Sequence, residues 1–330
     1  AVNEDFSCRS KDETLIAEIL TSIEGINMAM KKTRKWMKPS KRGVGMLFAP
    51  AKNEVRYQPL GVIGIIVPWN YPIFLAIGPL VAALAAGNRV MIKMSEFTPA
   101  LNKVFKAMIT DAFAEDHVCV IEGEADAAIA FTEQPFNHIL FTGSTATARW
   151  IDNKLDNRNI QLIAETGGQN VMIVDSTALP EQVVDDAIES GFNAAGQRCS
   201  ALRILAIQDE VYDKTLKMLI GATKKIKIGL PNLLSTDIGP VIDQEAKDRI
   251  NNHVKSFKSK VLSQSPLESK YQGYYVTPTI IEIENLNEVK EEIFGPVIHV
   301  YKYKSNEIEK LISDINKMNY GLTLGIQSRI

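Results

Sequence analysis

From Gly61 onward the chain repeats one pattern: a short apolar run, a turn, then a stretch with helical spacing. Apolar runs at 62–67, 89–93, 118–121, 138–142, 160–164 and 170–174 read as strands. Between them Leu101, Val104, Phe105, Met108 and Ala112 keep the three- and four-residue spacing of a helix. Strand–helix alternation of this kind buries a parallel sheet under helices on both faces, so the fold class is α/β. The pattern restarts after residue 165 with a helix at 180–194, a strand at 203–208, a helix at 210–226 and strands near 274–282 and 297–303. We therefore expect a first domain over residues 1–164 and a second over 165–330, with 229–273 the most loop-rich stretch. A length of 330 residues suits two domains, each with its own core.

Composition narrows the class of function. With 45% hydrophobic and 23% charged residues the chain is neither collagen-like nor disordered. A formal net charge of -2 gives no global field that would attract nucleic acid. No charge occurs between Arg56 and Arg89, which raises the question of a membrane span. Pro59, Pro68, Pro72, Pro79 and Asn70 interrupt that stretch, so it reads as a strand at 62–67, a turn and a helix from Ile73 to Ala86. Glu4 and Asp5 precede any apolar run, which argues against a secretory signal. Cys8, Cys119 and Cys199 are odd in number and unpatterned, as in a reducing compartment, so a cytoplasmic location is expected. Residues 14–30 are helical in period, with Ile16, Ile19, Ile23, Ile26 and Met30 on one side. The basic run from Lys31 to Arg42 reads as a solvated helix end rather than a surface for nucleic acid or lipid, and 44–58 as a hairpin turning at Pro50–Asn53.

Several residues carry chemistry. Cys199, in Gly196-Gln197-Arg198-Cys199-Ser200, has small neighbours and an adjacent cation. A thiolate is the reactive form of cysteine, and a cationic setting favours it; a buried structural cysteine is the alternative. Glu165 ends an apolar strand before Gly167-Gly168, where open α/β sheets bind ligands, and is a candidate general base or, equally, a solvated strand-end carboxylate. Asn70, in Pro68-Trp69-Asn70, follows the strand at 62–67 and suits an oxyanion donor or an ordinary turn. Gly143 and Ser144, in Phe141-Thr142-Gly143-Ser144-Thr145, join a strand to a helix and suit a phosphate, although G-x-G-x-x-G is absent. Lys93 and Glu96 end another strand and suit ribose hydroxyls; taken alone they read as a solvated turn.

Together these motifs, with Glu292-x-Phe294-Gly295-Pro296, occur in the order found in the aldehyde dehydrogenase superfamily, which the whole chain resembles. The resemblance implies a Rossmann-type NAD-binding domain, an α/β catalytic domain and an oligomerisation hairpin at about 44–58. It implies Cys199 as nucleophile toward an aldehyde, with Asn70 and the Cys199 N–H holding the oxyanion. Glu165 would activate water against the resulting thioester. Lys93 and Glu96 would bind the adenosine ribose, Gly143 and Ser144 the pyrophosphate, Glu292 and Phe294 the nicotinamide ribose, and Trp69 would line the cofactor cleft. A carboxylate at Glu96 favours NAD over NADP. The resemblance implies no metal, and a homodimer or homotetramer.

Below the superfamily the chain divides. Residues 1 to about 150 resemble coniferyl aldehyde dehydrogenases, through Tyr57-Gln58-Pro59-Leu60-Gly61-Val62 and Met94-Ser95-Glu96-Phe97-Thr98-Pro99. Residues from about 160 resemble the L-glutamate-γ-semialdehyde dehydrogenase module of proline utilisation A, through 163–175, 195–203 and 319–325. In that module the residue at Ser200 holds the substrate carboxylate, and Arg198 adds positive charge, so glutamate semialdehyde is the expected substrate and coniferaldehyde the alternative. The last residues before Ile330 read as a strand, and the C-terminal part of the family fold is expected to be absent. A fragment that at most binds NAD is therefore the competing expectation.

Overall fold

An antiparallel ribbon of β1 (Ser40–Arg42) and β2 (Asn53–Val55) precedes a sheet of β3 (Val62–Ile66), β4 (Arg89–Lys93), β5 (Val118–Ile121), β6 (His138–Gly143) and β7 (Gln161–Thr166). The structure, a computed structural model, describes residues 1–156, 158–267 and 271–330. They form two compact units, Ala1 with Asp12–Glu165, and Val2–Lys11 with Thr166–Ile330.

In the first unit the strand order is β5-β4-β3-β6-β7, and β5, β4, β3 and β6 run parallel. The helices are α1 (Thr21–Trp36), α2 (Pro72–Ala85), α3 (Pro99–Ala112), α4 (Ala125–Thr132) and α5 (Thr145–Leu155). Side chains alternate along β3, as a strand requires. Ile63, Ile65 and Val67 share a core with Leu80 of α2 and Phe105 of α3, while Val62 and Ile66 pack with Phe131, Phe141 and Ile151. Both faces are thus covered. Pro72 and Pro99 open their helices, where the missing N–H costs nothing.

The N-terminal segment departs from its periodicity. A π-helical turn, Leu15–Leu20, leads into α1, and the buried side chains are Glu18, Ser22 and Ala29. Ile16, Ile23, Ile26 and Met30 are exposed instead. α1 packs on α2, and close approach of two helices selects small residues over the isoleucine stripe. The expected hairpin at 44–58 is a ribbon of 40–42 with 53–55, with a 3-10 turn at Met46–Phe48 between them.

In the second unit a sheet of order β10-β11-β12-β9-β8-β13 joins β8 (Val171–Val174), β9 (Ile204–Gln208), β10 (Val261–Gln264), β11 (Thr279–Ile283), β12 (Val297–Tyr303) and β13 (Leu324–Gln327). All pairs are parallel except β10 with β11. Its helices are α6 (Pro180–Phe192), α7 (Asp209–Thr223), α8 (Gln244–Ser256) and α9 (Ile308–Lys317). β8, β9, β11 and β12 are almost wholly buried, which is why they read as continuous apolar runs. α8 and β10 occupy the stretch expected to be loop-rich. α8 buries only Ile250, too little to print an apolar stripe, and β10 is a short edge strand. No helix among the described residues is long and apolar enough to cross a membrane.

A histidine pair is built into this core. His299 of β12 places Nδ1 3.1 Å from the Arg203 carbonyl and Nε2 2.8 Å from Nε2 of His253 on α8. A carbonyl only accepts, so His299 Nδ1 carries the proton and His253 Nε2–H donates to His299 Nε2. Burial, then the neighbouring His253 and Arg203, push His299 down to about 3, with the Arg203 carbonyl and Glu288 acting in the opposite direction. The fold holds this ring neutral while an unfolded chain would protonate it, so stability is lost as pH falls from about 6.5 toward about 3. In urea titrations at pH 7 and pH 4.5, wild type should lose more unfolding free energy than His299→Gln. Equal losses would contradict this.

Candidate functional site

The order β5-β4-β3-β6-β7 reverses direction at β3 and β6, so the loops leaving their carboxyl ends diverge and open a crevice, the usual ligand position in such sheets. Pro68-Trp69-Asn70 leaves β3, Lys93-Met94-Ser95-Glu96 leaves β4, and Ser144 follows the end of β6. The first unit therefore brings Trp69, Asn70, Lys93, Glu96, Gly143 and Ser144 to one sheet edge. Asn70 is buried and Trp69 half-buried. Glu165 is exposed near the end of β7.

Lys93 corrects the picture of a solvated turn, being only 2% exposed. Its Nζ donates to the carbonyls of Met94 (2.6 Å) and Gly123 (2.7 Å). Burial lowers its pKa, against the opposing charges of Glu96 and Glu124. An ammonium has three protons, so one remains for a ligand hydroxyl beside the half-buried Glu96. Asn102 fixes this loop by donating to the Ser95 carbonyl at 2.7 Å. Ser144 caps α5, its Oγ accepting the Thr147 N–H at 3.2 Å. Gly143 is required because a Cβ there would press on the Phe141 ring. A hydroxyl-binding cation with a carboxylate on one strand, and a helix N-terminus on another, fit a dinucleotide.

In the second unit Cys199 stands between a 3-10 turn, Asn193–Gly196, and β9. Ala194 and Ala195 both adopt a φ of +54°, left-handed backbone that costs alanine roughly 1–2 kcal/mol per residue. Neighbouring contacts hold it there. Gly196, at φ +69°, lies against the Gly295 carbonyl, where any Cβ would overlap. Buried Gln197 accepts the Ile242 N–H at 2.8 Å and donates to the Ala194 carbonyl at 3.2 Å. Asn170 donates to the carbonyls of Cys199 (2.6 Å) and Ala201 (2.9 Å) and accepts from Thr323 N–H (3.1 Å).

Arg203 organises the rest, and no role for it was evident from the sequence. It is 1% exposed. Its guanidinium donates to the carbonyls of Gly295 and Arg198, both at 3.0 Å, and lies 3.5 Å from Glu292 Oε1 and 5.5 Å from the centre of the Phe294 ring. One buried cation thus ties the Cys199 loop to the Glu292–Pro296 loop. The Glu292 carboxylate covers Gly167, where a Cβ would collide with it, and accepts the Gly168 N–H. Burial raises its pKa, against the charge of Arg203. Arg198 is half-buried and Ser200 exposed, on either side of Cys199.

The thiol departs from the expectation of a cation-activated cysteine. Its pKa is raised, first by burial and then by the Glu292 carboxylate, while the N–H groups of Ser200 and Cys199 and the Arg203 charge act in the opposite direction. The sulfur therefore rests as a thiol, disfavoured as a thiolate by burial and the Glu292 charge, with two main-chain donors beside it.

A family model described as the aldehyde dehydrogenase family matches residues 9–329. Among curated proteins, the chain is 45% identical over 291 residues to the bifunctional protein PutA of Escherichia coli, covering 83% of this chain and 22% of PutA. It is 38% identical over 329 residues to a probable coniferyl aldehyde dehydrogenase of Pseudomonas aeruginosa, covering 98% of this chain and 68% of the relative. Among solved structures, a mutant of Bradyrhizobium japonicum proline utilization A superposes with a TM-score of 0.91 at 35% identity, over 100% of this chain and 34% of that one. PnpE in complex with nicotinamide adenine dinucleotide gives 0.89 at 28% identity, over 100% and 68%.

The electrostatics at Cys199 can be read by alkylation with iodoacetamide, following the Cys199 peptide by mass. Removing the charge in Glu292→Gln should favour the thiolate and speed alkylation at pH 8 by roughly three- to tenfold, a shift of up to about one pKa unit. An unchanged or slower rate would contradict the geometry.

Proposed function

The chain belongs to the aldehyde dehydrogenase family, and on that premise we propose that it oxidises an aldehyde to a carboxylic acid, with NAD preferred to NADP as the oxidant. The observation that carries this reading is the Cys199 loop, held by Arg203, Gln197 and Asn170 with the N–H groups of Cys199 and Ser200 at the sulfur. In this reading Cys199 Sγ, once deprotonated, adds to the aldehyde carbon and gives a thiohemiacetal. The Cys199 N–H and the Asn70 amide are the donors we assign to the oxyanion. When bound, the nicotinamide dinucleotide supplies the two-electron oxidant that converts this adduct to a thioester. Glu165 then takes a proton from water, which attacks the thioester carbonyl, releases the acid and returns the thiol. Lys93 and Glu96 hold the adenosine ribose, Gly143 and Ser144 the pyrophosphate, Glu292 and Phe294 the nicotinamide ribose, and Trp69 flanks the cofactor. The Glu96 carboxylate accepts from a 2′-hydroxyl and repels a 2′-phosphate, hence the preference for NAD.

L-Glutamate γ-semialdehyde is the substrate we infer. Arg198 and Ser200 flank the nucleophile and suit a carboxylate-bearing aldehyde, and PutA proteins are among the relatives. Coniferaldehyde is the second reading, favoured by a coniferyl relative aligned over 98% of this chain. The β1–β2 ribbon, with Met46, Leu47 and Phe48 exposed beside it, supports association of copies into a dimer or tetramer. Three cysteines without disulfides suit a reducing, cytoplasmic setting.

Cys199→Ala should abolish NADH formation with either aldehyde while NAD still binds; turnover retained by this variant would refute the nucleophile. Glu165→Gln should leave the pre-steady-state NADH burst near wild type and slow steady turnover by roughly 10²-fold or more, the usual scale of general-base catalysis. A burst and a steady rate both at wild-type level would remove Glu165 from the mechanism.

A further inference from the structure

Glu18 is a carboxylate with no solvent exposure, and it sits where α2 begins. Its Oε2 accepts the N–H groups of Ile73 at 2.7 Å and Phe74 at 3.3 Å. The first N–H groups of a helix have no partner within the helix, and a side chain at the N-cap ordinarily supplies one. Here the N-cap is Tyr71, whose side chain makes no capping bond, and Pro72 has no N–H. The cap is therefore delivered from 55 residues earlier in the chain. Two accepted N–H bonds at the positive end of the α2 dipole offset the cost of burying the carboxyl group. Glu18 lies inside the π-helical turn Leu15–Leu20, a local widening that recurs at functional sites. A second carboxylate, Glu13, accepts the Tyr71 hydroxyl at 2.7 Å. Asn70 is thus followed directly by a segment clamped by two carboxylates.

We propose that Glu18 is a positioning residue for Asn70: by fixing the first turn of α2 it fixes where the Asn70 amide is presented. The inference rests on the reading of Asn70 as an oxyanion donor. A structural cap alone would stabilise α2 without acting through Asn70, and a mutant cycle separates the two.

The test compares Glu18→Ala, Glu18→Gln, Asn70→Ala and the double variant Glu18→Ala/Asn70→Ala. The readouts are the NADH burst with glutamate semialdehyde and with coniferaldehyde, and hydrogen exchange of residues 69–74 by mass spectrometry. Glu18→Ala should slow the burst roughly tenfold, below the 10²–10³ typical of deleting an oxyanion donor outright, and the double variant should be no slower than Asn70→Ala. Exchange should rise roughly tenfold in 69–74 and stay at wild-type level in the β3–β6 strands. Glu18→Gln keeps an acceptor and should rescue most of both effects; if the alanine variant does not fold, Glu18→Asp, whose acceptor is one methylene short of the Ile73 N–H, carries the test with the same expected losses. Additive losses in the double variant, or wild-type exchange in Glu18→Ala, overturn the proposal. A wild-type burst in Asn70→Ala would instead refute the oxyanion reading, while the exchange data still decide whether Glu18 orders the turn.

Discussion

A guanidinium buried at Arg203 is expensive unless its protons are satisfied, and an unpaired buried charge is among the most destabilising features a core can hold. The second unit offsets most of that cost with two main-chain carbonyls and a carboxylate drawn from two loops, all met by the two Nη groups, while Nε is left without a partner among the described residues. The same requirement brings those loops together. Gly196 and Gly295 meet because the guanidinium spans Arg198 and Gly295, and the left-handed alanines before Cys199 persist because the surrounding bonds over-determine them. Cys199, Glu292 and Phe294 are therefore placed by one cation that contacts the carbonyl just before the cysteine. The thiol is kept protonated by the same packing that positions it.

The first unit works by a different constraint. Strand order turns at β3 and β6, and what that edge can bind depends on the loops above it. Each loop is tied by a polar group that has left solvent: Lys93 to Gly123, Asn102 to Ser95, and Glu18 to the first turn of α2. These bonds place polar side chains at the edge of an otherwise apolar sheet without leaving the main chain unsatisfied.

The α/β class and the parallel strands of both sheets could be read from the sequence because buried strands are continuous apolar runs. The placement of Asn70, Glu96 and Ser144 just beyond the carboxyl ends of strands was legible too, since the apolar runs stop shortly before them. The N-terminal helix was not, because its isoleucine stripe prints a stronger period than the Glu18–Ser22–Ala29 face that is buried. α8 and β10 were missed for want of apolar content. Lys93 read as solvated because lysine usually is, and only the Gly123 carbonyl, 30 residues away, explains its burial. Arg203 and Glu18 carry no local signal at all: their roles arise from partners 92 and 55 residues distant, a pairing that propensity and periodicity do not encode.

In the proposed reaction Cys199 becomes covalently acylated during turnover. The direct measurement is acid-quenched peptide mass spectrometry after mixing the protein with NAD and glutamate semialdehyde, repeated with coniferaldehyde. An acyl increment, two hydrogens lighter than the aldehyde adduct, is expected on the peptide containing Cys199 and only with NAD present. NADH formed while that peptide never carries the increment, or an increment on Cys8 or Cys119 instead, would contradict it.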